Sequence, residues 1–116
     1  METKLIFTEQ EREISLKIID GLRTSIGDSL QEGDFENLHE YIEAAIRNNH
    51  VHRNVFGLNP ILHALQTAEI AVNEIGLKRD SVIAILLYAS VLDKNTDIEV
   101  IKKTFGESVT HIIRGL

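Results

Sequence analysis

The apolar positions of this 116-residue chain recur at helical spacing and sort into six segments. Ile14, Ile18, Ile19 and Leu22 form the first stripe. Thr8 and Glu11 precede it in the order of a capping box, in which the threonine hydroxyl takes a backbone N–H three residues on and the glutamate reaches back. This helix is predicted to run toward Leu30, weakened by Gly21 and Gly27. Glu32 to Asp34 is a break, and Asp34 is predicted to cap a second helix carrying Phe35, Leu38, Ile42, Ala45 and Ile46 on one face. His52 to Pro60 is irregular until Asn59-Pro60, an N-cap side chain followed by a proline where no N–H is missed. A third helix with Ile61, Leu62, Leu65, Ala68 and Val72 should then stop at Gly76.

Asp80 is predicted to cap the fourth helix, which is apolar on every side from Val82 to Leu87 and so should be the most buried. Thr96 and Glu99 form a second capping box, before a fifth helix over about Asp97 to Phe105 that ends at Gly106. A sixth begins near Glu107 or Ser108 and carries Val109, Ile112 and Ile113. With one proline and few alternating β-branched runs, the pattern predicts a single all-α domain, a bundle of about six helices over residues 1–116. Because the last helix runs to Leu116 without a polar tail, the chain is read as a piece of a longer multidomain protein.

Composition narrows the function less than the fold. No run approaches the roughly 18 apolar residues of a membrane span, and the N-terminus lacks a signal-peptide pattern. Cysteine is absent, which excludes disulfides and thiolate chemistry and suits a reducing cytoplasm. The net charge of -6 argues against nucleic-acid binding through the overall field. Arg47, His50, His52 and Arg53 are the one cationic cluster, read as a solvated loop. His39, His50, His52 and His111 show no metal-ligand spacing, and Glu40 and Glu43 are solvated helix acids.

The stretch AILLYASVLD, Ala84 to Asp93, is where an oily helix turns half polar. A divalent metal needs imidazole and carboxylate ligands converging from different elements. His63 on the preceding helix could supply one; a His-Asp pair at the end of the buried helix would supply two more, but Tyr88 and Ala89 stand there.

From these residues onward, the run NPILHALQTAEIAVNEIGLKRDSVIAILLYASVLDKNTDIEVIKKTFGESVTHIIRGL, Asn59 to Leu116, resembles the N-terminal HD hydrolase domain of RelA/SpoT-type (p)ppGpp synthetase/hydrolases. In that family a helix with a metal-binding His is followed by one ending in leucines, His-Asp, two small apolar residues and Glu-Asp-Thr. A short helix closing on Phe-Gly comes next. The resemblance implies that His63 matches the first metal ligand, while Tyr88 and Ala89 replace the His-Asp pair. Leu92 replaces the glutamate, Asp93 keeps the second acid, and Thr96 follows after a short insertion. Gly115 matches a glycine of the terminal motif, where Arg114 replaces an aspartate; the family's last ligand would lie beyond Leu116. The family's nucleotide loop is represented by Arg53 and Gly57.

What the resemblance implies is a degenerate HD domain of the synthetase-only, RelA-like branch. It would be inactive as a hydrolase and bind no Mn²⁺, the ion of active members, with His63, Tyr88, Ala89 and Asp93 as vestigial positions and no catalytic residue. The parent would be a bacterial, cytoplasmic GTP pyrophosphokinase of the stringent response. Its synthetase domain would be the partner of this one, and the ribosome would be contacted through other parts. Guanine nucleotide could still meet Arg53; membrane and direct nucleic-acid contacts are not expected. Plainer readings stand beside these. His63 would be a hydrogen-bonded packing residue, Tyr88 would fill the former metal cavity with its ring, Asp93 would be a turn or capping residue, and Arg53 a solvated loop arginine. Two rivals remain: a metallohydrolase using His63, Asp93 and ligands outside the chain, and a free-standing helical adaptor.

Overall fold

The computed structural model describes residues 6–48, 51, 53, 55–90 and 98–115. Among them are six α-helices and no strand: α1 (Glu9–Ile26), α2 (Asp34–Arg47), α3 (Pro60–Ile70), α4 (Arg79–Ser90), α5 (Ile98–Phe105) and α6 (Glu107–Arg114). The all-α expectation holds, and two helix starts follow directly from local chemistry. Thr8 Oγ1 accepts the Glu11 N–H at 3.1 Å and Glu11 Oε1 accepts the Thr8 N–H at 2.9 Å, a complete capping box. Asn59 Oδ1 takes the N–H groups of Ile61 and Leu62 at 2.9 and 3.2 Å, with Pro60 as the first helical residue of α3.

Two ends differ from the sequence reading. α1 stops at Ile26 and passes into a 3₁₀ turn, Gly27–Ser29, so the α-helical part is shorter than expected. After α3 the chain widens into a π turn over Ala71–Ile75 before it stops at Gly76, whose φ of 81° needs a residue without Cβ. There the Leu77 N–H reaches the Ala71 carbonyl and the Gly76 N–H that of Val72, both at 3.1 Å, which satisfies two of the carbonyls at this helix end. The Thr96–Glu99 capping box lies outside the described residues.

α4 is central, packed against α3, α6 and α2, with α1 laid on α3 and α5 on α6. Its Val82, Ile83, Ala84, Leu86 and Leu87 are all buried, as the unbroken apolar run predicts. Leu22 and Ile26 of α1, Ile101 of α5 and Val109 of α6 complete the core. Tyr41 of α2 meets Phe105 of α5 in a tilted ring pair with centroids 5.8 Å apart, and its hydroxyl lies 3.4 Å from that of Thr104.

The assignments of Asp34 and Asp80 as N-caps are corrected by the structure. Gly33 precedes α2 with a left-handed φ of 83°, and Asp34 is the first helical residue. Its carboxylate is used elsewhere: Oδ2 accepts the Gln31 N–H at 2.8 Å and Arg79 Nε at 2.8 Å, while Oδ1 accepts Arg79 Nη2 at 3.0 Å. Both side chains are buried, 5% and 7% exposed. Asp80 is the second residue of α4 and takes the remaining arm of the guanidinium, Nη1, at 2.7 Å. This fork joins the starts of α2 and α4. Burial by itself would push the Asp34 carboxyl up; the Arg79 and Gln31 hydrogen bonds and the arginine charge outweigh it and hold the group below its ordinary range.

Candidate functional site

α3 and α4 lie side by side, and the positions singled out from the sequence fall on them and on the loop before α3. His63 comes one turn after the Asn59 cap, and its N–H reaches the Asn59 carbonyl at 3.0 Å. The residue is exposed, which corrects its reading as a packing residue: its helix buries Ile61, Ala64 and Leu65 and turns His63 outward. Tyr88 is 51% exposed in the last turn of α4, so its ring does not fill a former metal cavity. In the run that precedes it Val82, Ile83, Ala84, Leu86 and Leu87 are buried and Ile85 is half-buried, and the helix emerges toward solvent at Tyr88. Ala89 belongs to the same turn. Leu92, Asp93 and Thr96 lie outside the described residues. Gly115 follows α6 and donates its N–H to the Ile112 carbonyl at 3.1 Å; Arg114 is exposed.

Arg53 is where the structure adds most to the sequence reading. Its Nη1 donates to Glu11 Oε2 and to the Gly57 carbonyl, each at 2.8 Å; Nη2 donates to the Ile6 carbonyl at 2.9 Å and to Glu11 Oε1. The solvated-loop reading of Arg53 is therefore corrected: the guanidinium ties the loop before α3 to the start of α1. A nucleotide would meet an arginine most of whose five donors are already engaged. Glu11 has two tasks, closing the capping box and pairing with Arg53. The Arg53 hydrogen bonds and charge, with the Thr8 N–H, overcome desolvation and hold its carboxyl down to about 2.

That depression has a consequence for acid stability. A carboxyl whose folded value lies below its unfolded one stabilises the fold above the unfolded value and loses that contribution as pH falls. Here the loss runs from about 4.5 down to about 2. Urea midpoints of wild type should fall over that window, and Glu11→Gln should give a visibly shallower fall. Equal slopes for the two proteins would show that the pair does not form.

Metal chemistry needs ligands that converge. Among the described residues, no three His, Asp, Glu or Cys side chains are grouped to hold a cation. The phenol of Tyr88 and the methyl of Ala89 do not supply the imidazole or carboxylate that a divalent ion takes. His39 of α2 meets Glu43 at 3.8 Å on an exposed helix face, and His111 of α6 is exposed. His50 and His52 lie outside the described residues.

The described helices form an all-α bundle around a buried central helix, α4, with one histidine near the start of the preceding helix. A sequence profile of the HD domain matches residues 40–116. This chain belongs to the HD domain family. The match begins within α2, upstream of the Asn59 to Leu116 stretch that carries the sequence resemblance. Comparison with curated proteins and with solved structures finds no match. None of the described helices is long and apolar enough to cross a membrane.

Proposed function

We propose that this HD domain is inactive as a hydrolase and serves as a structural and regulatory unit of a RelA/SpoT-like guanosine tetra/pentaphosphate enzyme. One observation carries the reading: Tyr88 and Ala89 stand at the end of the buried helix, where the family places its His-Asp pair. Loss of both ligands leaves no means of lowering the pKa of a metal-bound water. The parent would be a GTP pyrophosphokinase that moves pyrophosphate from ATP to GTP or GDP. That chemistry would reside in a neighbouring synthetase domain, since this chain has no phosphate-cradling Gly-rich loop. The partner of the HD domain would be that synthetase domain, whose activity it biases by packing differently in two states. The setting would be the cytoplasm, with no cofactor held here.

Titration calorimetry with Mn²⁺ is expected to show no stoichiometric site tighter than about 10 µM, roughly -7 kcal/mol. A tight site abolished by His63→Ala, together with chelator-sensitive (p)ppGpp hydrolysis, would replace this proposal with the metallohydrolase reading. The triple change Tyr88→His, Ala89→Asp and Leu92→Glu should raise metal retention after dialysis only when the chain is extended past Leu116. No gain in either length would count against equating Tyr88-Ala89 with the His-Asp pair.

A further inference from the structure

An apolar concavity, lined by neither His63 nor Tyr88, lies between the facing surfaces of α1 and α2. Its volume is about 480 Å³, within the roughly 300–1,000 Å³ range of small-molecule sites. Ile19, Leu38, Ile42 and Ile46 line its length, and Leu65 and Leu86 are also among its walls. Four ionisable side chains border it: Arg12, Arg23, His39 and Glu43. Glu43 already faces His39 at 3.8 Å, and the Arg23 guanidinium lies over the Phe35 ring, 4.9 Å from its centroid. Arg12 stands one turn before Ser15 on the same face of α1. Ser15 lines the cavity and is 7% exposed, and its hydroxyl is buried without a hydrogen-bond partner. A buried, unsatisfied hydroxyl is costly, and a ligand polar group would relieve that cost.

We propose that this cavity binds a free single-chain fatty acid, its carboxylate held by Arg12 and Ser15 and its alkyl chain laid along Ile19, Ile42 and Leu38 toward Phe35. Of the charged groups that border the cavity, Glu43 faces His39, whereas Arg12 has no carboxylate partner among the described residues, which favours an anionic head over a cationic one. The walls beyond it are apolar, which selects an alkyl tail. A volume of about 480 Å³ is of small-molecule size and suits one alkyl chain. Arg23 is about 16 Å along α1 from Arg12, eleven residues at 1.5 Å each, and does not reach the same head group. The proposal does not depend on the hydrolase or synthetase reading of the parent.

The test is calorimetric titration of the full chain with octanoate, decanoate, dodecanoate and decanol. One site is expected, tightening up to about fourfold for each added CH₂ (~0.8 kcal/mol) until the cavity is filled. Decanoate should bind at least tenfold tighter than decanol. Arg12→Gln should weaken decanoate about tenfold and leave decanol within twofold. Arg23→Gln, at the other end of the cavity, should change neither by more than twofold. Amide shifts of the wild-type protein with decanoate should cluster on α1 and α2, a readout that needs no variant to fold. Equal affinity for decanoate and decanol, shifts centred elsewhere, or no binding of either would overturn the proposal. So would sedimentation with phosphatidylglycerol vesicles in the absence of free decanoate binding.

Discussion

Arg79→Ala is expected to lower the unfolding free energy by about 3–5 kcal/mol, the cost of leaving one member of a buried ion pair alone. The change would strand the Asp34 carboxylate, which is 5% exposed and accepts two of its hydrogen bonds from that guanidinium. The Gln31 N–H would remain as a partner, which is too little for a buried charge. The double variant Asp34→Ala, Arg79→Ala should lose less than the sum of the two single changes, because no charge is then left unpaired. Urea unfolding of the four proteins measures this directly. A loss below about 1 kcal/mol for Arg79→Ala would mean that water reaches Asp34 and that the fork is a surface pair.

The second large effect is expected at Leu87. Its side chain is fully buried in the second half of α4, among Ile83, Leu86 and the other residues of the central core. Leu87→Ala removes buried methyl groups and leaves a cavity that the surrounding helices close only in part, at a cost of about 2–5 kcal/mol. α4 is packed on three neighbouring helices, so collapse around the gap would require several elements to shift together. The same urea experiment reads the effect. A change under about 1 kcal/mol would place the centre of the core elsewhere than α4.

The fold was legible where its causes are local. The Thr8–Glu11 box and the Asn59-Pro60 start of α3 need only side chains within three residues of the backbone they serve, and both formed as the sequence predicts. The burial of Val82 to Leu87 follows from a helix with no polar face to turn outward. Asp34 and Asp80 were misread for the complementary reason. Each stands beside a helix start, where local chemistry favours capping, yet Arg79 claims both carboxylates. For Asp34 the competing partner is 45 residues away in the chain. Arg53 and Glu11 are 42 residues apart, and only the placing of the loop before α3 against the start of α1 brings them together.

The candidate site divides in the same way. The sequence alone determined that Tyr88 and Ala89 offer neither an imidazole nor a carboxylate, because ligand chemistry is a property of residue type. It also determined the helices and the central one, because 3.6-residue periodicity and capping act within a few residues. Tertiary structure decided that Tyr88 and His63 face solvent rather than a filled cavity, because exposure at a helix end depends on which neighbours cover it. It also decided the Asp34–Arg79 fork, the Arg53 tie and the hollow between α1 and α2. Those arise only when the helices are packed side by side, where charges and apolar walls meet at distances the order of residues does not encode.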